Sequence, residues 1–326
     1  MRTPRIKADP SLPAVYHCMS RVAGRLPLLD DSAKHKLLNI LHHLARFCDI
    51  DIITFCMMSN HFHLLIRVPP KPLPDSIPDD VILAKLEDFY GPKATLPTLA
   101  RAAVNKGQPI PDDIRQAVLS RIADLSIFLQ EFKQRFSRWY NRRHDRTGYL
   151  WGERFRSVLV EDCPSTLRAI AAYIDLNPVR AGLVNDPKDY RFCGYAAALT
   201  GDKVIRRGIM GFLETQDWSA ASAEYRLALY MIGGTSGRSD KRVLDPEAIR
   251  AELARGGQLP LGQILRLRIR HMTDGVFLGS KEFVDQMWER HRDKFGKRRK
   301  SGARIIRGAP IPGLTVLRDL HVDAVG

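Results

Sequence analysis

Residues 52–68 read IITFCMMSNHFHLLIRV, two apolar runs separated by the dipeptide Ser59-Asn60. Residues 52–58 and 61–68 each have the length and composition of a β-strand. A two-residue polar connection between such runs is typical of a hairpin. We therefore expect two neighbouring antiparallel strands in this part of the chain.

The segments on either side of this hairpin predict the rest of the fold. Two of them have strand composition, residues 15–22 and 154–160, and three have helical apolar spacing, residues 30–48, 111–143 and 164–177. The resulting order is strand, helix, strand, strand, long helix, strand, helix. This order predicts an α+β fold of the ferredoxin-like type, an antiparallel sheet with packed helices.

The chain has 326 residues, a length that corresponds to about two domains. Prolines interrupt the sequence after residue 68, and this pattern predicts a flexible excursion outside the core. Beyond residue 200 the apolar spacing is mainly helical, and helices are predicted from Asp245, from Leu261 and from the capping residue Ser280. We predict five segments: a flexible N-terminus (1–13), the main domain (14–200) with an insertion at about 69–125, a connecting region (201–237), and a mostly helical basic C-terminal extension (238–326).

Net charge is the first indication of a partner. The chain carries a formal net charge of +15. Residues 130–156 hold eight Lys and Arg against three acidic residues, and residues 266–307 hold thirteen against five. Basic blocks of this kind favour nucleic acid as the partner. The C-terminal block is interpreted as a candidate DNA-binding module or, alternatively, as a packing appendage with a solvated surface.

Several classes of protein are disfavoured. No apolar stretch approaches the ~18 residues of a membrane helix, and the first residues have no apolar core of a signal peptide. The five cysteines include no C-x-x-C pair. Disulfide scaffolds and zinc ribbons are therefore not expected, and a reducing cytoplasm fits best.

One aromatic stripe could serve either the core or base stacking. Its members, four residues apart on one helix face, are Phe128, Phe132, Phe136 and Tyr140. Helical spacing of this kind more often marks the core, and we predict that role.

His61 and His63 alternate with Phe62 on the second strand of the hairpin, so the two imidazoles project from the same sheet face. Imidazoles at this spacing can converge on one cation. By itself the pattern is a weak signal for a metal, because two histidines on a polar strand face are the more common explanation, and a third ligand would have to come from elsewhere.

Tyr173 and Asn177 lie four residues apart on the helix that Pro178 is expected to end or kink. A tyrosine hydroxyl, with a pKa of ~10, is a poor nucleophile at neutral pH, but it can attack a phosphodiester if a nearby cation polarises the phosphate. The amide oxygen of Asn177 is an acceptable ligand for Mg²⁺ or Mn²⁺. The alternative for each residue is structural: a half-buried aromatic and a polar helix end.

Three stretches resemble one family. They are Ser59-Asn60-His61-Phe62-His63, Gly148-Tyr149-Leu150-Trp151-Gly152, and Tyr173-Ile174-Asp175-Leu176-Asn177-Pro178. Over residues 14–200 the chain resembles single-tyrosine HUH transposases of the REP-associated branch. The resemblance implies that His61, His63 and Asn177 bind Mg²⁺ or Mn²⁺ and that Tyr173 cuts single-stranded DNA. It also implies a 5′-phosphotyrosine intermediate and hairpin-forming targets.

The sequence therefore predicts a metal-dependent DNA strand transferase whose chemistry lies upstream of residue 238. Eight basic residues are expected to hold the DNA backbone: Lys133, Arg135, Arg138, Arg142, Arg143, Arg154, Arg156 and Arg180. Two alternatives stay open, a non-catalytic DNA-binding regulator on the same scaffold and a protein that binds or cuts RNA. The oligomeric state, monomer or homodimer, is also open.

Overall fold

The computed structural model describes residues 6–234, 272, 275–295, 302–305 and 314–318. Within these residues, seven strands form one sheet in the order β2-β3-β1-β4-β5-β7-β6. The first four strands are β1 (Ala14–Arg21), β2 (Asp51–Met57), β3 (His61–Val68) and β4 (Arg156–Val160). All neighbours among these four are antiparallel, as a ferredoxin-like sheet requires. The predicted α+β fold is confirmed.

The hairpin forms as expected, because the amide of Met58 bonds the carbonyl of His61 across the Ser59-Asn60 turn. Strand pairing then fixes the sheet faces. His61 is in register with Arg21, and His63 with Met19. Paired residues in an antiparallel sheet share a face, so these side chains lie together, opposite Phe62.

Two long helices cover the face that carries Phe62, which we call the aromatic face. They are α1 (Asp31–Cys48) and α5 (Leu125–Arg143), capped by the side chains of Asp30 and Asp124 respectively. Phe62 contacts the ring of Phe132, with the two centroids 5.2 Å apart. The four members of the aromatic stripe on α5 are buried, which confirms their predicted place in the core.

The expectation of a flexible excursion after residue 68 is wrong. The segment forms two helices that were not predicted, α2 (Asp79–Tyr90) and α3 (Thr95–Asn105). The helical stretch predicted over 111–143 follows and is divided into α4 (Asp112–Leu119) and α5. Pro78 and Pro111 stand immediately before helices, where a proline leaves every helical hydrogen bond intact. The prolines therefore separate packed helices instead of preventing them.

The opposite face, which we call the tyrosine face, is covered by helices from the second half of the chain. They are α6 (Pro164–Asp175), α7 (Asn177–Arg180), α8 (Gly194–Leu199), α9 (Lys203–Phe212) and α10 (Trp218–Gly234). A Cβ atom on Gly208 would lie 2.7 Å from the carbonyl oxygen of Ile53, so glycine allows α9 to approach β2 closely. The region predicted as a connection is thus two helices, one of them packed directly on the sheet.

The described part of the C-terminal extension continues the same sheet. It contributes β5 (Phe277–Gly279), β6 (Arg304–Ile305) and β7 (Thr315–Leu317), with helix α11 (Lys281–Arg290) capped by Ser280 as predicted. β5 pairs parallel to β4, and sequence patterning did not signal these short strands. The helices predicted after Asp245 and Leu261 lie outside the described residues.

The N-terminal segment was predicted to be flexible, but Ile6 and Ala8 pack against the domain. Ile6 is buried, and the main-chain nitrogen of Ala8 donates to the hydroxyl of Tyr16 at 2.8 Å. The five cysteines are free thiols, in agreement with the absence of a disulfide framework. Among the described helices, none is both long and apolar enough to cross a lipid bilayer.

Candidate active site

The tyrosine face brings together side chains from β1, β3 and α6. The ring of Tyr173 lies 6.0 Å from that of His63 and 5.9 Å from that of His17, centroid to centroid. His61 and His63 are 5.1 Å apart by the same measure. Two predicted ligands and the predicted nucleophile therefore meet on one surface of the sheet.

Hydrogen bonds determine which nitrogen of His63 can accept a cation. The Nδ1 atom of His17 lies 3.0 Å from the carbonyl oxygen of Met272, which can only accept, so this nitrogen carries the hydrogen. In neutral His17, Nε2 is then the acceptor, and it lies 3.0 Å from Nδ1 of His63. His63 must donate from Nδ1, and the lone pair of its Nε2 is left for a ligand.

A second set of contacts orients His61 in the same way. The amide nitrogen of Asn60 donates to the carbonyl oxygen of Arg25 at 2.9 Å, which fixes the orientation of the amide group. The oxygen of that amide then faces Nδ1 of His61 at 2.6 Å and accepts its hydrogen. The Nε2 atom of His61 therefore also carries a lone pair.

Burial keeps both imidazoles neutral. It lowers the pKa of His61 to about 4, with a further contribution from Arg21. Burial also lowers the pKa of His63 far below its usual value, with smaller contributions from neighbouring His61 and His17. Neutral imidazole is the form that ligates a metal ion.

Asn177 is held at the break between α6 and α7. Its amide nitrogen donates to the carbonyl oxygens of Tyr173 and Ile174, at 2.9 and 3.2 Å. The amide oxygen is consequently the atom that would ligate. Pro178 has the predicted effect, because α6 ends at Asp175 and a new turn begins at Asn177.

The donor set fits a catalytic divalent cation better than a structural one. The set consists of two imidazole nitrogens and one amide oxygen, three neutral ligands. A divalent cation held by them would keep open coordination positions for phosphate oxygens and water. In the described part of the chain, no group of three or more His, Cys, Asp or Glu is arranged as a metal site. The candidate site therefore depends on the amide as its third ligand.

The nucleophile candidate is covered in this conformation. Tyr173 is 2 % exposed, and the guanidinium carbon of Arg180 lies 4.8 Å from the centroid of its ring. Burial lowers the pKa of Arg180, while its contact with the Tyr173 hydroxyl opposes that shift. The predicted DNA contact at Arg180 thus lies directly on the tyrosine.

The other basic residues predicted to hold DNA are divided between the two faces. Arg156, on β4, pairs with Met19 of β1 and shares the tyrosine face with His63. Five lie on α5, which covers the aromatic face: Lys133, Arg135, Arg138, Arg142 and Arg143. Arg154 is exposed just before β4.

Two of these residues on α5 make contacts inside the protein. Lys133 donates to the carbonyl oxygen of Glu153 at 2.7 Å, and Arg135 bonds Glu131 at 3.2 Å. The remaining three arginines of α5 are exposed near its C-terminal end. Helix α5 runs towards the His61 end of β3, because Phe136 contacts Trp151 beside Phe62.

Sequence reasoning missed three residues of the site: His17, Arg21 and Asn60. The alternation of β1 carried a signal, since His17 and Arg21 occupy positions of the same parity in a strand expected to join the sheet. The role of Asn60 had no such signal, because it depends on the carbonyl of Arg25 across a loop.

Comparison with family models finds a match in the N-terminal part of this site. Residues 13–77 match the model described as transposase IS200 like. The matched segment contains β1, α1, β2 and β3, and with them His17, His61 and His63. Tyr173 and Asn177 lie outside it.

The other comparisons add less. A search among curated proteins returns no match. A solved structure described as a REP-associated tyrosine transposase bound to a REP hairpin is similar, with a TM-score of 0.40 and 14 % sequence identity. The similarity covers 62 % of this chain and 87 % of that chain.

Proposed function

We propose that this protein is a single-stranded DNA transposase and endonuclease in which Tyr173 is the nucleophile and His61, His63 and Asn177 hold Mg²⁺ or Mn²⁺. The observation that carries the proposal is the position of Tyr173 against His63, whose Nε2 lone pair is available to a ligand. The transposase family match of residues 13–77 supports DNA as the substrate.

The proposed step exchanges one phosphate ester for another. The Tyr173 oxygen bonds to phosphorus as the bond to the 3′ oxygen of the preceding nucleotide breaks. The phenol loses its proton to solvent, and the leaving 3′ oxygen gains one. A bound divalent cation would polarise the phosphate and offset charge on its non-bridging oxygens. The products are a 5′-phosphotyrosine and a 3′-hydroxyl, and the reverse reaction rejoins DNA without external energy.

Access to Tyr173 requires a side-chain movement, because its hydroxyl is buried in the described conformation. Arg180 is half-buried over the ring, and we expect it to be the group that moves. A guanidinium beside both the phenol and the incoming phosphate would stabilise the negative charge that develops on each. We therefore assign Arg180 to the reacting phosphate and not to distant DNA backbone.

The DNA path follows from the exposed cations around the His61 end of the sheet. Arg21 and Arg156 are exposed on the tyrosine face. Arg138, Arg142 and Arg143 extend from α5 at the same end. Tyr149 is 94 % exposed in the loop that follows α5, where an aromatic ring can stack on an unpaired base.

The test is an adduct assay with labelled single-stranded DNA hairpins, in Mn²⁺ and in excess chelator. The proposal predicts a denaturation-resistant protein–DNA adduct that forms only with the cation and disappears after protease treatment. Hairpin binding without an adduct would instead indicate the non-catalytic regulator. An adduct or cleavage only with the matching RNA hairpin would indicate the RNA alternative.

A further inference from the structure

We propose that His17 is a positioning residue for the cation site, and that the C-terminal extension takes part in this site through the main-chain carbonyl of Met272. The inference rests on the proposed function, since it assigns how His63 is prepared to bind the cation. It makes residues beyond 238 part of the chemistry, contrary to the expectation from sequence.

The contact between the two histidines is enclosed. His17 is 0 % exposed and His63 is 3 % exposed, so water is not a ready substitute for either partner. Their rings are stacked with centroids 5.2 Å apart and an angle of 25° between the planes. A partner of this kind on the non-ligating nitrogen is the usual means of orienting a metal-binding histidine.

The Met272 carbonyl decides between two tautomers of His17. With the carbonyl present, Nδ1 carries the hydrogen and Nε2 accepts from His63. Without it, His17 can carry the hydrogen on Nε2 and donate it to His63 Nδ1. The hydrogen of His63 would then move to Nε2, and that nitrogen could no longer ligate. A main-chain acceptor therefore selects the ligand-competent form of His63.

The extension is attached firmly enough to hold this acceptor. Leu159 of β4 pairs with Phe277 of β5. At the end of β4, the carboxylate of Glu161 accepts from the main-chain nitrogen of Ser280 at 2.6 Å and from its hydroxyl at 2.9 Å. Met272 itself is buried. The contact that orients His17 and the contacts that anchor the extension thus lie close together in the chain.

The first experiment measures Mn²⁺ binding by calorimetry in the full-length protein without DNA. His17→Leu removes both hydrogen bonds, and we expect the Mn²⁺ dissociation constant to rise about 10- to 100-fold. His17→Gln keeps one acceptor and donors on a side chain of similar reach, and we expect it to recover most of the affinity. His35→Leu, on the exposed surface of α1, is the matched control.

Thermal unfolding separates positioning from folding. If His17 only fills space, His17→Leu lowers the melting temperature while the folded protein binds Mn²⁺ as the wild type does, and the inference is overturned. The same holds if His17→Gln shows no recovery relative to His17→Leu. Retained Mn²⁺ binding in His17→Leu together with its loss in His61→Ala would reject this inference alone. Absence of Mn²⁺ binding in the wild type would reject the proposed cation site and this inference with it.

The second experiment tests the role of the extension through a double-mutant cycle. Glu161→Ala releases the anchor at Ser280, and we expect it to weaken Mn²⁺ binding several-fold in the wild-type background. It should have no further effect in the His17→Leu background, because the connection to His63 is already removed. Glu87→Ala, on α2, is the control. Equal effects of Glu161→Ala in the two backgrounds would contradict a connection through His17.

Discussion

At the scale of single residues, the candidate site depends on which ring nitrogen of each histidine is already used. Asn60 bonds the Nδ1 atom of His61, and His17 bonds the Nδ1 atom of His63. In both histidines Nε2 is therefore the nitrogen that can bind a cation. Position along the strand alone would not have shown this. The spacing in sequence placed the two rings on one face, and the surrounding hydrogen bonds determine their chemistry.

We expect substitutions of the three candidate ligands to reduce adduct formation by different amounts. His61→Ala and His63→Ala are each expected to abolish adduct formation and to weaken Mn²⁺ binding at least 10-fold. Asn177→Ala should reduce the rate less, about 10-fold, because water can replace a neutral amide oxygen. The rate of adduct formation at several Mn²⁺ concentrations measures these differences. An unchanged rate in His63→Ala would contradict the assignment of the ligands.

Substitution of Arg180 should lower the rate of adduct formation more than the affinity for the DNA hairpin. Arg180→Leu keeps much of the apolar side chain and removes the charge over Tyr173. Loss of one charged donor at a reacting oxyanion costs about 10²-fold in rate. We expect a loss of this size with less than a threefold change in hairpin affinity. Arg156→Leu is the comparison, since it should weaken affinity and change the rate at saturating DNA little. The reverse pattern would show that Arg180 binds distant backbone.

At the scale of elements, α6 is held to its neighbours by the buried carboxylate of Asp175. It accepts from the hydroxyls of Thr54 on β2 and Tyr225 on α10, at 3.1 and 2.6 Å. The main-chain nitrogen of Tyr195 on α8 donates to it at 3.0 Å. One side chain thus fixes the helix that carries Tyr173 against three elements.

This carboxylate gives a pH dependence of stability. Burial raises the pKa of Asp175 from 3.8 to about 6, so ionisation costs more in the folded protein than in the unfolded chain. Its contribution to stability is therefore greatest below pH 4 and is lost as the pH rises through about 6. The size is on the order of 3 kcal/mol, at ~1.4 kcal/mol per pKa unit.

Asp175→Asn does not titrate and should lack this slope. We expect the difference in unfolding free energy between wild type and variant to change by about 3 kcal/mol between pH 4 and 7. Urea unfolding in the presence of chelator at several pH values measures it. Parallel curves for the two proteins would show that the Asp175 pKa is not raised.

Most features determined by residues close together in the sequence were predicted correctly, whereas contacts between residues far apart in the sequence were not. The hairpin at Ser59-Asn60 and the break before Pro178 are determined by local chemistry, and both are found as predicted. The helices at 79–90 and 95–105 were missed because the prolines there were interpreted as interruptions and not as helix starts, whereas the helix that begins after Pro111 was predicted. The contact from His17 to Met272 spans 255 positions and has no local signal.

At the scale of the whole molecule, DNA binding should be electrostatic and limited to one end of the sheet. Each phosphate contact on a single strand changes the slope of log affinity against log salt by about 0.7. Replacing Arg138, Arg142 and Arg143 together by Gln should therefore reduce the slope by up to about 2. Replacing three cations outside this end, Lys36, Lys93 and Lys106, should leave it unchanged. Equal slopes for the two triple variants would rule out the proposed path.

Locating the covalent link between protein and DNA shows whether Tyr173 forms it. The adduct formed with a labelled hairpin in Mn²⁺ is digested, and the modified peptide is mapped by mass spectrometry in the wild type and in Tyr173→Phe. We expect a phosphonucleotide on Tyr173 in the wild type and no adduct in the variant, which should still bind the hairpin. A wild-type level of adduct in Tyr173→Phe, or a modified peptide that contains Tyr149 instead, would contradict it.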